Sequence, residues 1–459
     1  MGNGKSPHIL GRDPIGKLLV EYSIPAIIGM TVTSLYHVTD SIFIGQGTGA
    51  LGITGMAVTL PLMNVIIAFC TLVAIGGATI SSIYMGQKDM ERTIYVLHNV
   101  FLLLLIIGVV MTAVLLIVLD PILIFFGASE ATLPYARDFM QIILLGTPIS
   151  FVFIGLNNIM RATGYPKKAM LSALLTVAVN IVLAPLFIFT FKWGMRGAAT
   201  ATVISQFCGM IWVIIHFCRK DSFIRFRKGY YVLQKRIVKS IFAIGLAPFL
   251  LNVCASIVVI FINMSLRVYG GDMAIGSYGI INRMLILIVM IVAGLNQGMQ
   301  PILGYNYGAK QFVRVRKTLW YGIAAGTVIT TIGFVAFVFF PKAIVSMFSN
   351  DPDLNHIAVE GLRISSLVFP IVGAQIVITN FFQSIGKSKI SIILSLSRQM
   401  LFLVPGLIIL PRFFGTEGVW ISMPISDIAA FTFSIIALSL LNKKMKKEIN
   451  NSEAVLPSI

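Results

Sequence analysis

Two acidic residues lie inside long apolar stretches of this sequence, where an ionisable side chain is costly. Asp40 follows Tyr36 and His37 in the first such stretch, and Asp427 lies near the middle of the last one. A charged carboxylate in the hydrocarbon core of a membrane costs at least ~2.5 kcal/mol, so such residues mark ion or substrate pathways. We therefore predict that Asp40 binds a proton or a cation and that Asp427 is a second titrating group. The alternative for Asp40 is a carboxylate that is hydrated near the outer membrane surface.

The other polar side chains of the apolar stretches indicate a hydrated cavity. Arg283 lies in the eighth stretch, and a lone arginine there either pairs with a carboxylate, for which Asp40 is the candidate, or lines water. Amides are dense for lipid-immersed helices, although each one by itself is equally typical of a hydrogen bond between helices. Methionines add an adaptable apolar surface. The predicted cavity residues are Tyr36, His37, Asn157, Gln206, Arg283, Met284, Gln300, Asn380, Gln383 and Asp427.

The stretches that carry these residues are long enough to cross a bilayer, which needs ~20 apolar residues. Of the 459 residues, 57 % are hydrophobic and 11 % are charged, against about 25 % charged residues in soluble domains. The twelve predicted spans are 18–45, 50–80, 94–119, 134–160, 168–191, 195–218, 238–267, 274–303, 318–340, 356–384, 389–411 and 417–441. The sequence thus predicts an all-α polytopic membrane protein and excludes a soluble enzyme. Nucleic-acid binding is not expected, because the net charge of +18 is spread over short loops.

Landmark residues recur about 222 positions later, which indicates an internal repeat. Pro148 matches Pro370, and Gly164 matches Gly386. Each half holds six spans, so both halves enter the membrane from the same side and form a parallel repeat. The predicted units are an N-lobe at 1–218, a linker at 219–239, a C-lobe at 240–442 and a tail at 443–459. Two six-helix lobes around a central cleft favour a transporter that works by alternating access over a channel.

The basic residues predict how the chain lies in the membrane. With a cytoplasmic N-terminus, 26 of the 35 lysines and arginines lie on the cytoplasmic side and seven lie on the other side. Cytoplasmic loops carry the excess of Lys and Arg in membrane proteins. We therefore expect both termini and the linker in the cytoplasm, with the chain in the inner (cytoplasmic) membrane of a bacterium.

Motifs for catalysis and for metal binding are absent from the sequence. Gly386-Lys387-Ser388 has the form of the end of a phosphate-binding loop, but the required earlier glycine is Phe381 and no strand precedes it. Neither HExxH nor GxSxG occurs, and the four cysteines include no CxxC pair. We predict no catalytic residue, no metal and no cofactor, and a secondary transporter instead of an enzyme.

Two segments resemble the multidrug and toxic compound extrusion (MATE) family, in its DinF- and MepA-like bacterial branch. Residues 36–45 resemble the family's first-span segment with its functional aspartate, and residues 296–310 resemble the signature after its eighth span. The resemblance implies a monomeric antiporter in membrane lipid that exports amphipathic, mostly cationic small molecules in exchange for H+ or Na+. The alternative is a flippase of the same superfamily for a lipid-linked saccharide, which would have a more cationic cavity.

The same resemblance implies an ion-coupling site in the N-lobe. It identifies Asp40 as the coupling carboxylate, with Asn180 and Thr202 as polar partners, and Arg283 is similar to an eighth-span arginine of proton-coupled members. One position departs from the family, because Ala184 stands where an aspartate usually follows Asn180 by four residues. A dehydrated Na+ needs several oxygen ligands, whereas a proton needs one carboxylate. The loss of that aspartate favours H+ over Na+ as the coupling ion.

Overall fold

The computed structural model describes residues 7–220, 222–348 and 351–453, and helices make up nearly all of this part of the chain. The helices are α1 (Ile15–Gly86), α2 (Met90–Ile117), α3 (Leu119–Phe125), α4 (Leu133–Ala162), α5 (Pro166–Pro185), α6 (Gly194–Cys218), α7 (Lys235–Gly308), α8 (Phe312–Phe339), α9 (Pro341–Val345), α10 (Pro352–Ser366), α11 (Phe369–Ser384), α12 (Ser388–Leu396), α13 (Val404–Ile409) and α14 (Pro411–Glu453). Eleven helical stretches are each long and apolar enough to cross a membrane, and the bent pair α10–α11 brings the number to twelve within the described residues. The predicted all-α class with twelve spans is confirmed.

The two longest helices each carry two predicted spans that meet without a loop. In α1 the helix bends at Gly49, where φ is +71°, and in α7 it bends at Gly271, where φ is +65°. A positive φ at these bends suits glycine, which has no Cβ to clash. The two glycines are 222 positions apart, so the bend belongs to the repeat.

Other positive-φ residues recur at an offset of 221 or 222, so the repeat extends to backbone conformation. The pairs are Lys88 with Lys310, Gly164 with Gly386, and Gly194 with Gly415. Several helices are longer than the spans predicted within them, because helices continue beyond the apolar part that crosses the hydrocarbon. The second stretch of α1 reaches Gly86, α7 begins within the predicted linker, and α14 continues into the predicted tail as far as Glu453.

Helix contacts divide the bundle into the two lobes. Helices α1, α2, α4, α5 and α6 pack on one another in the N-lobe, while α8, α10, α11, α12 and α14 gather around α7 in the C-lobe. The most extensive contact of the whole bundle joins α1 to α7. One apolar cluster buries Phe151 and Phe217 of the N-lobe, and the C-lobe has two further clusters, one with Trp420 and one with Phe381. The two bent helices therefore form the interface between the lobes.

A row of glycines brings the lobe backbones together at the end of the bundle where the linker lies, here called the linker end. A Cβ on Gly245 would lie 1.6 Å from the backbone oxygen of Leu72, and a Cβ on Gly86 would lie 1.9 Å from that of Tyr305. No larger residue fits at such distances. We call this row the glycine seam; its members are Gly76, Gly86, Gly245, Gly294, Gly298 and Gly308.

Hydrogen bonds between the lobes reinforce the seam on the same side. Gln300 donates to Thr79 Oγ1 at 2.6 Å, and Asn306 donates to the backbone oxygen of Leu10 at 3.0 Å. At the opposite end, near the bends of α1 and α7, a Cβ on Gly49 or Gly271 would have nothing within 4 Å. The lobes are thus sealed at the linker end.

Linker residues 222–234 are fixed to α2 of the N-lobe. The backbone N–H of Arg227 donates to Nε2 of His98 at 3.1 Å, and the N–H of Gln234 donates to Oδ1 of Asn99 at 2.8 Å. Nδ2 of Asn99 in turn donates to the backbone oxygen of Val232 at 3.0 Å. His98 and Asn99 are fully buried, and Phe226 lies edge-on against the His98 ring. The linker is therefore packed against the N-lobe and held there by hydrogen bonds.

Candidate functional site

The N-lobe contains a cavity of about 430 Å³, walled by α1, α4, α5 and α6 and by Gln297 of α7. Its walls are mainly apolar, and flexible methionines contribute from two helices. The apolar lining includes Met30, Met56, Met63, Ile66, Phe139, Phe151, Phe153, Ile154, Met170 and Val177. A mostly apolar cavity with a few polar groups is the usual form of a small-molecule site, and methionine side chains adapt to ligands of different shapes.

Asp40 lines this cavity from α1 and is 4 % exposed. Its Oδ1 has no hydrogen-bond partner among the described residues. A buried polar atom without a partner is rare and carries a free-energy penalty, so it needs an explanation. A carboxylate oxygen that faces a cavity without a fixed partner is free to accept a proton or a cation. The geometry is therefore compatible with the coupling role predicted for Asp40.

The two polar residues predicted to accompany Asp40 lie close together. Nδ2 of Asn180 in α5 donates to Oγ1 of Thr202 in α6 at 3.2 Å, and Thr202 lines the same cavity as Asp40. Asn180 itself is 2 % exposed and lies behind Thr202. Ala184 follows one turn later and is fully buried in the apolar core. The structure brings the three predicted residues to one region, and their ion-coupling role stays a prediction.

Arg161 is a functional candidate that sequence reasoning missed, because the predicted span ended at residue 160 and left it in a loop. The structure places it in the last turn of α4, half-buried and lining the cavity. Its guanidinium donates to Oδ1 of Asn157 at 3.1 Å and to Oε1 of Gln297 in the other lobe. The sequence did contain a signal that could have identified Arg161. It lies four residues after the predicted cavity residue Asn157, and residues with that spacing share a helix face.

Two other predicted residues line the cavity and are held by local hydrogen bonds. Asn157 donates from Nδ2 to Oγ of Ser172 at 2.6 Å and to the backbone oxygen of Ala169 at 2.9 Å. Oε1 of Gln206 accepts a hydrogen bond from the hydroxyl of Ser150. Tyr36 and His37 lie in α1. Their side chains are outside the described part of the structure.

The pairing of Arg283 with Asp40, one of the two alternatives for this arginine, does not occur among the described residues. Arg283 lies in α7 and is exposed, and no ion pair joins it to Asp40 within the described residues. A single sequence gives the span in which an arginine lies but not the helix face that faces a cleft. The carboxylate of Asp40 and the guanidinium of Arg283 consequently do not neutralise each other.

Asp427 does not lie in the N-lobe cavity but forms an ion pair in the C-lobe. Its Oδ1 accepts from Nε of Arg398 at 2.7 Å, and the Asp427 side chain is 6 % exposed. A buried carboxylate that is paired and hydrogen-bonded has its charge compensated. The structure therefore places Asp427 outside the cavity and in an ion pair of the C-lobe, and its role as a second titrating group stays a prediction.

The remaining candidates also lie outside this cavity. Gln300 forms one of the hydrogen bonds that join the lobes, and Met284 packs against the C-lobe core. Asn380 and Gln383 lie in α11, where Gln383 is buried. The length of the apolar stretches correctly placed these residues in spans, but it does not distinguish a contact between helices from a cavity wall, because polar side chains occur at both.

Comparison with known proteins agrees with the repeat and the fold. The family model MatE matches residues 25–186 and again 245–408, one match in each lobe. The chain is 30 % identical over 430 residues to the multidrug export protein MepA of Staphylococcus haemolyticus, which covers 94 % of both chains. It is 26 % identical over 444 residues to MepA of Staphylococcus aureus strain MSSA476, with 97 % of each chain covered.

Solved structures of the same architecture superpose on the whole chain. A structure of the MATE multidrug transporter DinF-BH in complex with a dye has a TM-score of 0.88 at 36 % identity, covering 94 % of this chain and 96 % of the other. The outward-facing conformation of a multidrug resistance MATE family transporter has a TM-score of 0.90 at 24 % identity, covering 97 % and 100 %, which shows the fold alone. Because the family model covers most of both lobes and the match to MepA extends over 94 % of the sequence, the chain belongs to the MATE family and is a transporter, not an enzyme.

Proposed function

We propose that the chain is a multidrug exporter that exchanges amphipathic, mostly cationic compounds for protons by alternating access. The observation that carries the proposal is the buried Oδ1 of Asp40, which has no hydrogen-bond partner in the described part of the chain and lies in a cavity of about 430 Å³ with apolar walls. The relatives named as multidrug export proteins support the substrate class. The cavity offers apolar surface for the body of such a compound and one carboxylate for a proton or a cation.

Asp40 couples the two fluxes through its charge in this scheme. Ionised Asp40 in a poorly solvated cavity is unfavourable, so binding a proton or a cation stabilises the site. When protonation changes the relative free energy of the two lobe arrangements by about 1.4 kcal/mol, their ratio changes tenfold. Uptake of a proton from one side and its release on the other then drive the cycle in one direction.

The contacts at the linker end indicate which state of the transport cycle the structure represents. With the linker and both termini in the cytoplasm, as the excess of basic residues favours, the glycine seam closes the cavity from the cytoplasm. Substrate uptake from inside the cell then requires the seam to open while the lobes close elsewhere. This orientation, the inner membrane of a bacterium and a monomeric state form part of the proposal. The residue at position 184 further favours H+ over Na+, because Ala184 offers no side-chain oxygen.

The flippase alternative would need a strongly cationic cavity for the phosphates of a lipid-linked saccharide. The N-lobe cavity contains the single arginine Arg161 and the carboxylate of Asp40. One arginine does not make the described lining strongly cationic, which favours export of small amphipathic compounds over a lipid-linked saccharide.

Replacement of Asp40 tests the proposed function. We expect Asp40→Asn to fold and insert, because the amide has nearly the same size and removes a costly charge. Efflux of rhodamine 6G from proteoliposomes under an imposed pH gradient should fall at least about tenfold, since asparagine does not titrate. Asp120→Asn is the matched control, because Asp120 lies in α3, is 40 % exposed and pairs with Arg137. Undiminished gradient-driven efflux by Asp40→Asn would contradict the coupling role.

A further inference from the structure

The guanidinium of Arg161 forms no ion pair with a carboxylate among the described residues. Among the described residues no acidic side chain lies within 4 Å of its guanidinium. Its hydrogen bonds go to the amide oxygens of Asn157, Asn158 and Gln297 instead. Neutral amides orient a guanidinium but do not cancel its charge, and buried charges in proteins are normally paired. The cavity therefore contains a cation that is still available for an anion.

The surrounding hydrogen bonds hold this cation in a fixed direction. Nδ2 of Asn157 donates to two acceptors, Ser172 Oγ and the backbone oxygen of Ala169. Its Oδ1 is thereby left to face Arg161, four residues later on the same face of α4. The arginine is a preorganised element of the cavity wall, because its position is set by α4 and α5 before any ligand enters.

Arg161 and Asp40 lie far apart in the same cavity. Gln297, which accepts from Arg161, also contacts Met30 of α1. Asp40 lies ten residues beyond Met30, which is about 15 Å along a helix at ~1.5 Å per residue. A ligand group at Arg161 is thus separate from the carboxylate that we assign to proton coupling. Recognition by Arg161 and coupling by Asp40 can be tested independently.

We propose that Arg161 binds a carboxylate or an equivalent anionic oxygen group of the exported compound. This inference rests on the proposed export function and refines its substrates to amphipathic molecules that carry an acidic group. The planar guanidinium fork matches a carboxylate with two parallel hydrogen bonds. The apolar body then packs against Met30, Met170 and Ile154 of the cavity wall. An arriving anion competes with Gln297 for the guanidinium, at the contact between the lobes.

Two dyes that differ only at one acidic group provide the probe. Rhodamine 6G is an ethyl ester, and rhodamine 19 is the corresponding free carboxylic acid with the same cationic ring system. Fluorescence polarisation with the purified full-length chain measures the Kd of each. We expect the wild type to bind rhodamine 19 about tenfold more tightly, as a charge-assisted hydrogen bond in a poorly solvated site would give.

Substitution of Arg161 tests whether this residue causes the preference for rhodamine 19 over rhodamine 6G. Arg161→Gln should weaken rhodamine 19 binding about tenfold and change the Kd of rhodamine 6G less than about twofold. Arg161→Lys keeps the charge without the fork and should retain part of the preference. Arg137→Gln is the matched control, because Arg137 lies outside the cavity, is 42 % exposed and pairs with Asp120. It should leave both Kd values unchanged.

The outcomes separate this inference from the export function. Equal binding of the two dyes by the wild type, a measurement that needs no variant, overturns the inference. Equal weakening of both dyes by Arg161→Gln also overturns it, because a structural role of Arg161 would act on both. Proton-driven efflux of rhodamine 6G by the wild type in either case leaves the export function standing. Absence of that efflux, with the acid preference intact, contradicts the export function alone.

Discussion

Two arginine–carboxylate sets deep in the bundle invite comparison, Arg398 with Asp427 in the C-lobe and Arg161 with Asp40 in the N-lobe, and of these two only the C-lobe set forms an ion pair among the residues that the structure describes. Arg398 and Asp427 form an ion pair at 2.7 Å. In the N-lobe, Arg161 and Asp40 line one cavity and form no ion pair within the described residues. The two halves of the repeat therefore contain the same kinds of residue in different arrangements, paired in the C-lobe and separate in the N-lobe. The C-lobe charges cancel and hold helices together, while the N-lobe charges stay available to ligands.

The repeat shows where the two lobes diverged. At the offset of 222, Arg398 corresponds to Thr176, and at 221 Asp427 corresponds to Gln206. Thr176 and Gln206 both line the N-lobe cavity. The position of Arg161 is occupied in the C-lobe by Gln383. An ion pair in the C-lobe thus stands at the positions that line the cavity in the N-lobe, so the two halves no longer offer equivalent binding sites.

The largest expected effect comes from breaking the C-lobe pair. Asp427→Ala leaves Arg398 without its partner, and removal of one member of a buried pair costs about 3 kcal/mol or more. We expect the melting temperature of the purified protein to fall by several degrees. Asp40→Asn should leave it within about one degree, because Asp40 forms no ion pair with any described residue. Equal melting temperatures of wild type and Asp427→Ala would show that the pair is not structural.

Introducing the C-lobe ion pair at the equivalent N-lobe positions should make the N-lobe resemble the C-lobe, with paired charges where the cavity now lies. The double variant Thr176→Arg with Gln206→Asp places an ion pair at the equivalent positions of the cavity. We expect the protein to fold and its Kd for rhodamine 6G to rise about tenfold, because the new side chains fill apolar space. Binding by the purified variant checks this. An unchanged Kd would mean that the dye does not occupy the space between Thr176 and Gln206.

The smallest effect is expected when both members of the C-lobe pair are replaced together. Arg398→Met with Asp427→Leu keeps volume and removes both charges, and such replacements of buried pairs are often neutral or stabilising. The melting temperature should stay close to that of the wild type, which corresponds to a change within about 1 kcal/mol. A loss as large as that of Asp427→Ala would show that the pair contributes through contacts beyond its own charges.

Sequence reasoning predicted the fold and four of the residues that line the cavity, which are Asp40, Asn157, Thr202 and Gln206. Apolar length and the 222-residue offset predicted the twelve spans and the two lobes, since both depend on composition along the chain. Asp40 was found because a carboxylate inside an apolar stretch stands out by cost alone. Arg161 was missed because it lies at a helix end, where hydropathy cannot separate a loop from a cavity wall. The pairing of Asp427 with Arg398 depends on helix packing, which no single-chain pattern contains.

The docking of the linker on α2 affects how the N-lobe folds during synthesis and where the chain can be split into two fragments. Because His98 and Asn99 bond to Arg227, Val232 and Gln234, the N-lobe is complete only once the ribosome has synthesised the linker. Folding of the first half is thus tied to residues that follow its last span. Two separately expressed halves should assemble more completely when the chain is split after Gln234 than after Cys218. The first fragment then retains the linker residues that pack on its own α2. The boundary between folding units lies after the linker, at the start of α7.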